Sequence, residues 1–262
     1  MSSVGKSQRY YINSEDRIDD GSSSSNFTYN IEIPRGGGYD SVCVLSASIP
    51  LSYYLIRSPY NTMVLREGGS TVTITVPEGN YSARSFITDF TLLLNAASPN
   101  GWIYSMSLDS KTAKYTYSVT GNNGVQPEFI LSNHLGDQTG FDFNSTNTFV
   151  DDKLVSTDVL NFVSTNGLYL RSDICGDKNN VLQEIFSNNT VPFSYITWYC
   201  PDVDLYSKPL ISASNDIFSF SLVDEHGTVI DLNGQNVQFT LLIYKKVDIN
   251  ALFRSWIEIT NR

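Results

Sequence analysis

The feature that most limits what this chain can fold into is a side-chain alternation of period two, repeated in short runs along the sequence. In Ser70 to Val76 (STVTITV), Val72, Ile74 and Val76 share one face and Thr71, Thr73 and Thr75 the other, the pattern of a strand with one buried face. Phe27, Tyr29, Ile31 and Ile33 alternate with polar residues in the same way up to Pro34. Further strand-like runs are SVCVLSASIP, IYSMSL and KYTYSV, then VLNFVS, GLYLRSDI, FSYITWYC, DIFSFSLV, TVIDL and VQFTLLIY, with VLQEIF readable as a short helix or a strand. DSKTA supplies the turn of a hairpin between IYSMSL and KYTYSV. Asp224-Glu225-His226-Gly227 and Asn233-Gly234 sit between apolar runs at tight-turn lengths, which predicts an antiparallel meander for the last three runs. No repeat of fixed period stands out, so the pattern predicts an all-β sandwich or barrel rather than a propeller or solenoid.

Two segments depart from this pattern. After the turn PEGN, Ser82 is placed to cap a helix in which Phe86, Ile87, Phe90, Leu93, Leu94 and Ala97 recur at helical spacing until Pro99 and Gly101 stop it. Residues 1–25 are polar, carry charge of both signs and end in a serine run, which predicts a flexible N-terminal arm with too little apolar area to order itself. The β domain is then expected over residues 26–245, with residues 246–262 as a C-terminal tail.

Composition narrows the function. The net charge of -10 predicts a surface that repels phosphate backbones and offers no broad basic face, so direct nucleic-acid binding is not expected. Cys43, Cys175 and Cys200 are odd in number and widely spaced, which suggests reduced, mostly buried thiols and neither a disulfide framework nor a paired metal site. The N-terminus lacks the apolar core of a signal peptide, and no run approaches the ~18 apolar residues of a membrane span. The N-x-[ST] patterns opened by Asn26, Asn80, Asn144 and Asn188 are read as chance.

A search for reactive constellations nominates no catalytic, cofactor-binding or metal-ligating residue. His134 and His226 lie in different segments, with no carboxylate or cysteine ligand pattern beside them. Asp224-Glu225-His226-Gly227 is better explained as a turn, and Gly5-Lys6-Ser7 matches only the end of a phosphate-binding loop with no strand before it. Asp202 and Asp204 are read as solvated loop carboxylates. Tyr53, Tyr54, Trp198 and Tyr199 are candidates to line a sugar site, with strand packing as the alternative.

The order of several segments resembles a known family, the penton and related minor capsid proteins of virophages, polinton-like viruses and large nucleocytoplasmic DNA viruses. The resemblance rests on INSEDRIDDGSSSSNFTYNIEIP from Ile12, SASIPLSYYLI with the later Asn61, and VPEGNYSARSFITDFTLLLN from Val76. LGDQTGF (Leu135 to Phe141) and FSFSLVDEHGTVIDLNGQNVQFTLLIY from Phe218 complete it. It implies a single jelly-roll β-sandwich. Residues of about 62–150 hold more hairpin and helix than eight strands need, and are expected as an inserted elaboration. It also implies a non-enzymatic structural protein of the virion, made in the host cytoplasm, that forms homopentamers at five-fold vertices of an icosahedral capsid. Its partners would be trimers of double jelly-roll major capsid protein, or other minor capsid proteins. A carbohydrate- or receptor-binding β-sandwich module, or another minor capsid role, stands as the alternative.

Overall fold

The alternating runs become antiparallel sheets in the structure, a computed structural model that describes residues 4–162, 167–176, 179–186, 194–211 and 216–247. The chain divides into two units, Met1–Tyr53 with Thr165–Arg262, and Tyr54–Ser164. The first unit opens with β1 (Val4–Asn13), a 3-10 turn (Ser14–Asp16), β2 (Ile18–Ser23), β3 (Asn26–Asn30) and β4 (Ser41–Pro50). The second unit follows with β5 (Thr62–Glu67), β6 (Ser70–Thr75), α1 (Ala83–Ala97), β7 (Ile103–Asp109) and β8 (Lys114–Thr120). It continues through β9 (Glu128–Leu131), α2 (Leu135–Thr139), β10 (Ser145–Thr148) and β11 (Lys153–Val155). The chain then returns through β12 (Gly167–Ser172), β13 (Val181–Phe186), β14 (Tyr195–Tyr199), α3 (Val203–Tyr206), β15 (Lys208–Pro209), β16 (Ile217–Val223) and β17 (Gln238–Lys246).

The first unit is a single jelly-roll β-sandwich. One sheet has the order β1-β17-β4-β14, with β15 also on β4, and the other the order β13-β12-β16-β3-β2. Setting aside β2 and β15, eight strands remain: the first, eighth, third and sixth along the chain form one sheet, and the second, seventh, fourth and fifth the other. That is the double Greek-key order of a jelly roll. Ile12, Val44, Ile49 and Ile243 of one sheet and Phe27, Leu170 and Phe220 of the other meet in one buried cluster. Each such side chain contributes roughly 1.5–3 kcal/mol by leaving water.

Three sequence expectations change here. The first jelly-roll strand lies inside the expected arm: β1 pairs antiparallel with β17, with Tyr10 opposite Leu241 and Ile12 opposite Phe239. Ile12 is buried, and Ser14 exchanges hydrogen bonds with Val237, donating through its N–H to the Val237 carbonyl and accepting from the Val237 N–H at its hydroxyl, both at 3.0 Å. Residues 4–23 therefore belong to the sandwich in place of a flexible arm, because the β17 backbone supplies a ladder for β1 and the β3 backbone one for β2, which their sparse apolar side chains alone would not hold. The expected meander is also replaced. β16 and β17 lie in opposite sheets, and TVIDL makes only the bridge between Val223 and Val229. Beyond the Gly227 turn the chain crosses from one sheet to the other and buries Ile230 and Leu232 between them. VLQEIF is strand β13. Of VLNFVS, residues 159–162 are not strand, and Leu160 and Phe162 pack on the core of the second unit; the rest lies outside the described residues, as does the expected tail beyond residue 247.

The second unit is inserted between the third and fourth jelly-roll strands and is wider than the expected 62–150. It holds two sheets, β10-β9-β5-β6 and β11-β8-β7. Helix α1 starts where Ser82 and Ser85 cap each other, the Ser85 N–H donating to the Ser82 hydroxyl at 3.1 Å and the Ser82 N–H to the Ser85 hydroxyl at 2.9 Å. It turns Phe86, Phe90 and Leu94 inward onto a core of Tyr104, Tyr115, Tyr117, Phe129 and Phe149.

Candidate functional site

The outer face of the β1-β17-β4-β14 sheet carries the residues best placed to meet another molecule. Strand register sets them in rows: Tyr11 pairs Thr240, Thr240 pairs Ser46, and Ser46 pairs Tyr199. One step along, Asn13, Gln238, Ser48 and Thr197 line up in the same way. Neighbouring strands lie about 4.8 Å apart, so the two tyrosines stand roughly 14 Å from each other with hydroxyl and amide groups between them. Both are 74% exposed. Together these rows line a shallow groove of about 430 Å3, bordered by Asp16 at the β1 end.

A β-bulge decides which part of this face stays open. Thr240 pairs Ser46 while the next residue, Leu241, pairs Val44, so Leu45 is an extra residue on β4. On one side of the bulge Cys43, Leu242 and Tyr244 are buried, with Leu45, Cys200, Val203 and Tyr206 packed against them. On the other side Ser46, Ser48, Gln238 and Thr240 line the groove.

The Ser46 hydroxyl donates to the Thr240 hydroxyl at 3.2 Å, and no histidine, cysteine or lysine lies among the described lining residues to activate it. Apart from the two tyrosines, Asp16 is the one titratable group among them. Exposed tyrosine rings beside neutral hydroxyls and amides are the surface chemistry of protein interfaces and of saccharide sites.

Of the aromatics singled out from the sequence, Tyr199 stands in this groove and the others do not. Tyr53 is buried in the sandwich core, Trp198 packs against that core with its ring 6.0 Å from that of Tyr206, and Tyr54 belongs to the second unit. Tyr11, in the segment expected as an arm, stands in the groove as well. Asp202 caps α3, its Oδ1 accepting from the N–H groups of Asp204 at 2.9 Å and Leu205 at 3.2 Å. Asp224 shapes a turn as its sequence implies, with its Oδ1 accepting from the N–H groups of His226 and Thr228 and Gly227 at φ +82°. Gly5-Lys6-Ser7 lies within β1, where the Lys6 ammonium sits 5.6 Å from the Tyr39 ring centre. In the second unit His134 Nδ1 lies 2.8 Å from Asp137 Oδ2, and its ring stacks on Phe143 at 4.7 Å.

No protein-family model matches the chain, and no curated protein matches it in sequence. Among solved structures it is similar to the crystal structure of the mavirus penton protein, at 12% identity and a TM-score of 0.48, over 92% of this chain and 100% of that one.

Proposed function

We propose that this chain is a non-enzymatic capsid subunit of an icosahedral DNA virus, a penton whose homopentamers fill the five-fold vertices. The observation that carries the reading is the combination of a single jelly roll with a wide, open, tyrosine-flanked outer face on the sheet that holds its first and last strands. The resemblance of the ordered segments to viral pentons supports it. In a ring of five, each subunit presents one surface to its neighbour and a different one to the next, and the contact must close. The outer face with Tyr11 and Tyr199 serves as one of these surfaces, and the major capsid protein or another minor capsid protein meets the rest of the vertex. Light scattering coupled to size exclusion tests this: a closed pentamer is expected, and a stable trimer overturns it. Mass spectrometry of purified particles tests the virion location, and absence of the chain from virions ends the reading.

The same face favours one alternative. Two exposed tyrosines flanking a floor of hydroxyls and amides suit a neutral saccharide, which would make the chain a carbohydrate- or receptor-binding module. A glycan array separates the two: saturable binding abolished by Tyr11→Ala or Tyr199→Ala supports the module, and no binding removes it.

A further inference from the structure

Cys43 and Cys200 are far apart in the sequence and adjacent in the fold. Their Sγ atoms lie 3.6 Å from each other, although 157 positions separate them. The bulge on β4 and the end of β14 bring this about. β14 stops at Tyr199, the Cys200 N–H still donates to the Leu45 carbonyl at 2.8 Å, and Pro201 then turns the chain toward α3. This leaves the Cys200 side chain facing that of Cys43 on the outer side of the sheet. Cys175 takes no part, for it lies in the sandwich core and its Sγ donates to the Ser172 carbonyl at 3.3 Å.

We propose that Cys43 and Cys200 are a latent disulfide, an internal staple that joins β4 to the segment after β14 when the protein meets a small-molecule disulfide as oxidant. A disulfide holds its sulfurs about 2.05 Å apart, so closure needs an approach of roughly 1.5 Å, within reach of side-chain rotation and a slight shift of a segment already past its strand. The two thiols differ in access, which sets the order of events. Cys43 is 1% exposed while Cys200 is partly exposed. The Cys200 thiolate attacks the oxidant R–S–S–R, forms Cys200–S–S–R and releases RS⁻. Cys43 then gives up its proton to solvent and attacks the Cys200 sulfur, releasing the second RS⁻. The protein loses two electrons and two protons, and the oxidant becomes two RSH. Burial, and after it the neighbouring Cys200, hold the Cys43 thiol well above its ordinary pKa. It therefore remains an unreactive thiol until the mixed disulfide forms beside it.

The closed loop is long, the case in which a cross-link restricts the unfolded chain most. A protein folded in a reducing medium thus carries a bond that it closes only in an oxidising one. The pair stands on its own geometry, whatever the chain assembles into.

The test uses the full-length protein, first reduced, then freed of reductant and held with oxidised glutathione. The expected product has lost two of its three thiols and two hydrogens of mass. It yields a Cys43–Cys200 linked peptide and melts several degrees higher, and all of these changes reverse on reduction. Cys200→Ser, at a partly exposed position, keeps the fold and forms no internal bond, whereas Cys175→Ala forms the bond as the parent does. Three free thiols after oxidation, a lasting glutathione adduct on Cys200, a link through Cys175, or a lower melting temperature on closure would each overturn the proposal.

Discussion

The fully buried carboxylate of Glu67 accepts a hydrogen bond of 2.8 Å from the hydroxyl of Tyr104. Its Oε1 also accepts from the Ser98 hydroxyl at 2.7 Å, and its Oε2 accepts from the Asn100 N–H at 2.9 Å. A carboxyl group buried there needs its three donors, because a polar group out of water without partners is costly. Glu67→Ala removes the acceptor and strands the donors, so it should destabilise the second unit by about 3–5 kcal/mol. Glu67→Gln keeps one oxygen and turns an amide toward the Asn100 N–H, for a loss of about 1–3 kcal/mol. Urea midpoints rank the two, and equal losses would show that the oxygen count is irrelevant.

Alkali should unfold the second unit. Burial raises the phenols of Tyr104, Tyr115 and Tyr117, with the Glu67 hydrogen bond and charge adding to Tyr104 and the Tyr115 charge adding to Tyr117. A folded-state pKa above the unfolded one gives stability that is complete below the unfolded value of about 10. That stability is lost as the pH rises beyond it toward the folded values. Phenolate absorbance and circular dichroism should therefore show some of the 16 tyrosines ionising only as the secondary structure is lost. Smooth titration of every tyrosine near pH ~10 with the fold intact would contradict this.

The glycines of LGDQTGF are steric requirements. Gly140 sits at φ +79°, and a Cβ there would lie 2.5 Å from the Asp158 carbonyl oxygen. Gly101, at φ +68°, has open space around it. Gly140→Ala should cost about 3 kcal/mol through strain and overlap together, and Gly101→Ala about 1 kcal/mol through strain alone. Chemical denaturation of the two variants measures the difference, and equal costs would mean that the Asp158 contact relaxes freely.

How much of this was legible in the sequence depended on whether local signals and tertiary pairing agreed. Val72, Ile74 and Val76, the Ser82 cap and the Asp224 turn read correctly because each is fixed by neighbours in sequence. β1 was invisible because only Tyr10 and Ile12 mark its inner face, while its backbone order comes from β17, more than 200 residues away. The meander failed for a related reason: turn residues show that the chain reverses, not which of two sheets it enters next. Tyr199 was legible as an aromatic of interest, but its row with Ser46, Thr240 and Tyr11 exists only through register, as does the facing of Cys43 and Cys200.

Adjacent residues of β1 should separate folding from assembly. Ile12 points into the sandwich and is 2% exposed, while Tyr11 points out and is 74% exposed. Ile12→Ala removes buried methyl groups between two sheets and should cost about 2–4 kcal/mol, because the packed neighbours cannot close the gap. For a chain of this size that lowers the melting temperature by several degrees. Tyr11→Ser touches no core contact and should stay within about 0.5 kcal/mol of the parent. Deleting residues 2–13 is expected to be worse than either, since it strips β17 of a ladder partner and exposes a long strand edge that invites aggregation. Assembly should respond in the opposite order. Tyr11→Ser combined with Tyr199→Ser should leave the monomer folded and reduce the pentamer fraction seen by light scattering, whereas Ile12→Ala, where it folds, should assemble normally. Full stability of the deletion variant would return residues 4–13 to the status of an arm. Undiminished pentamers from the double tyrosine variant would move the subunit contact away from this face.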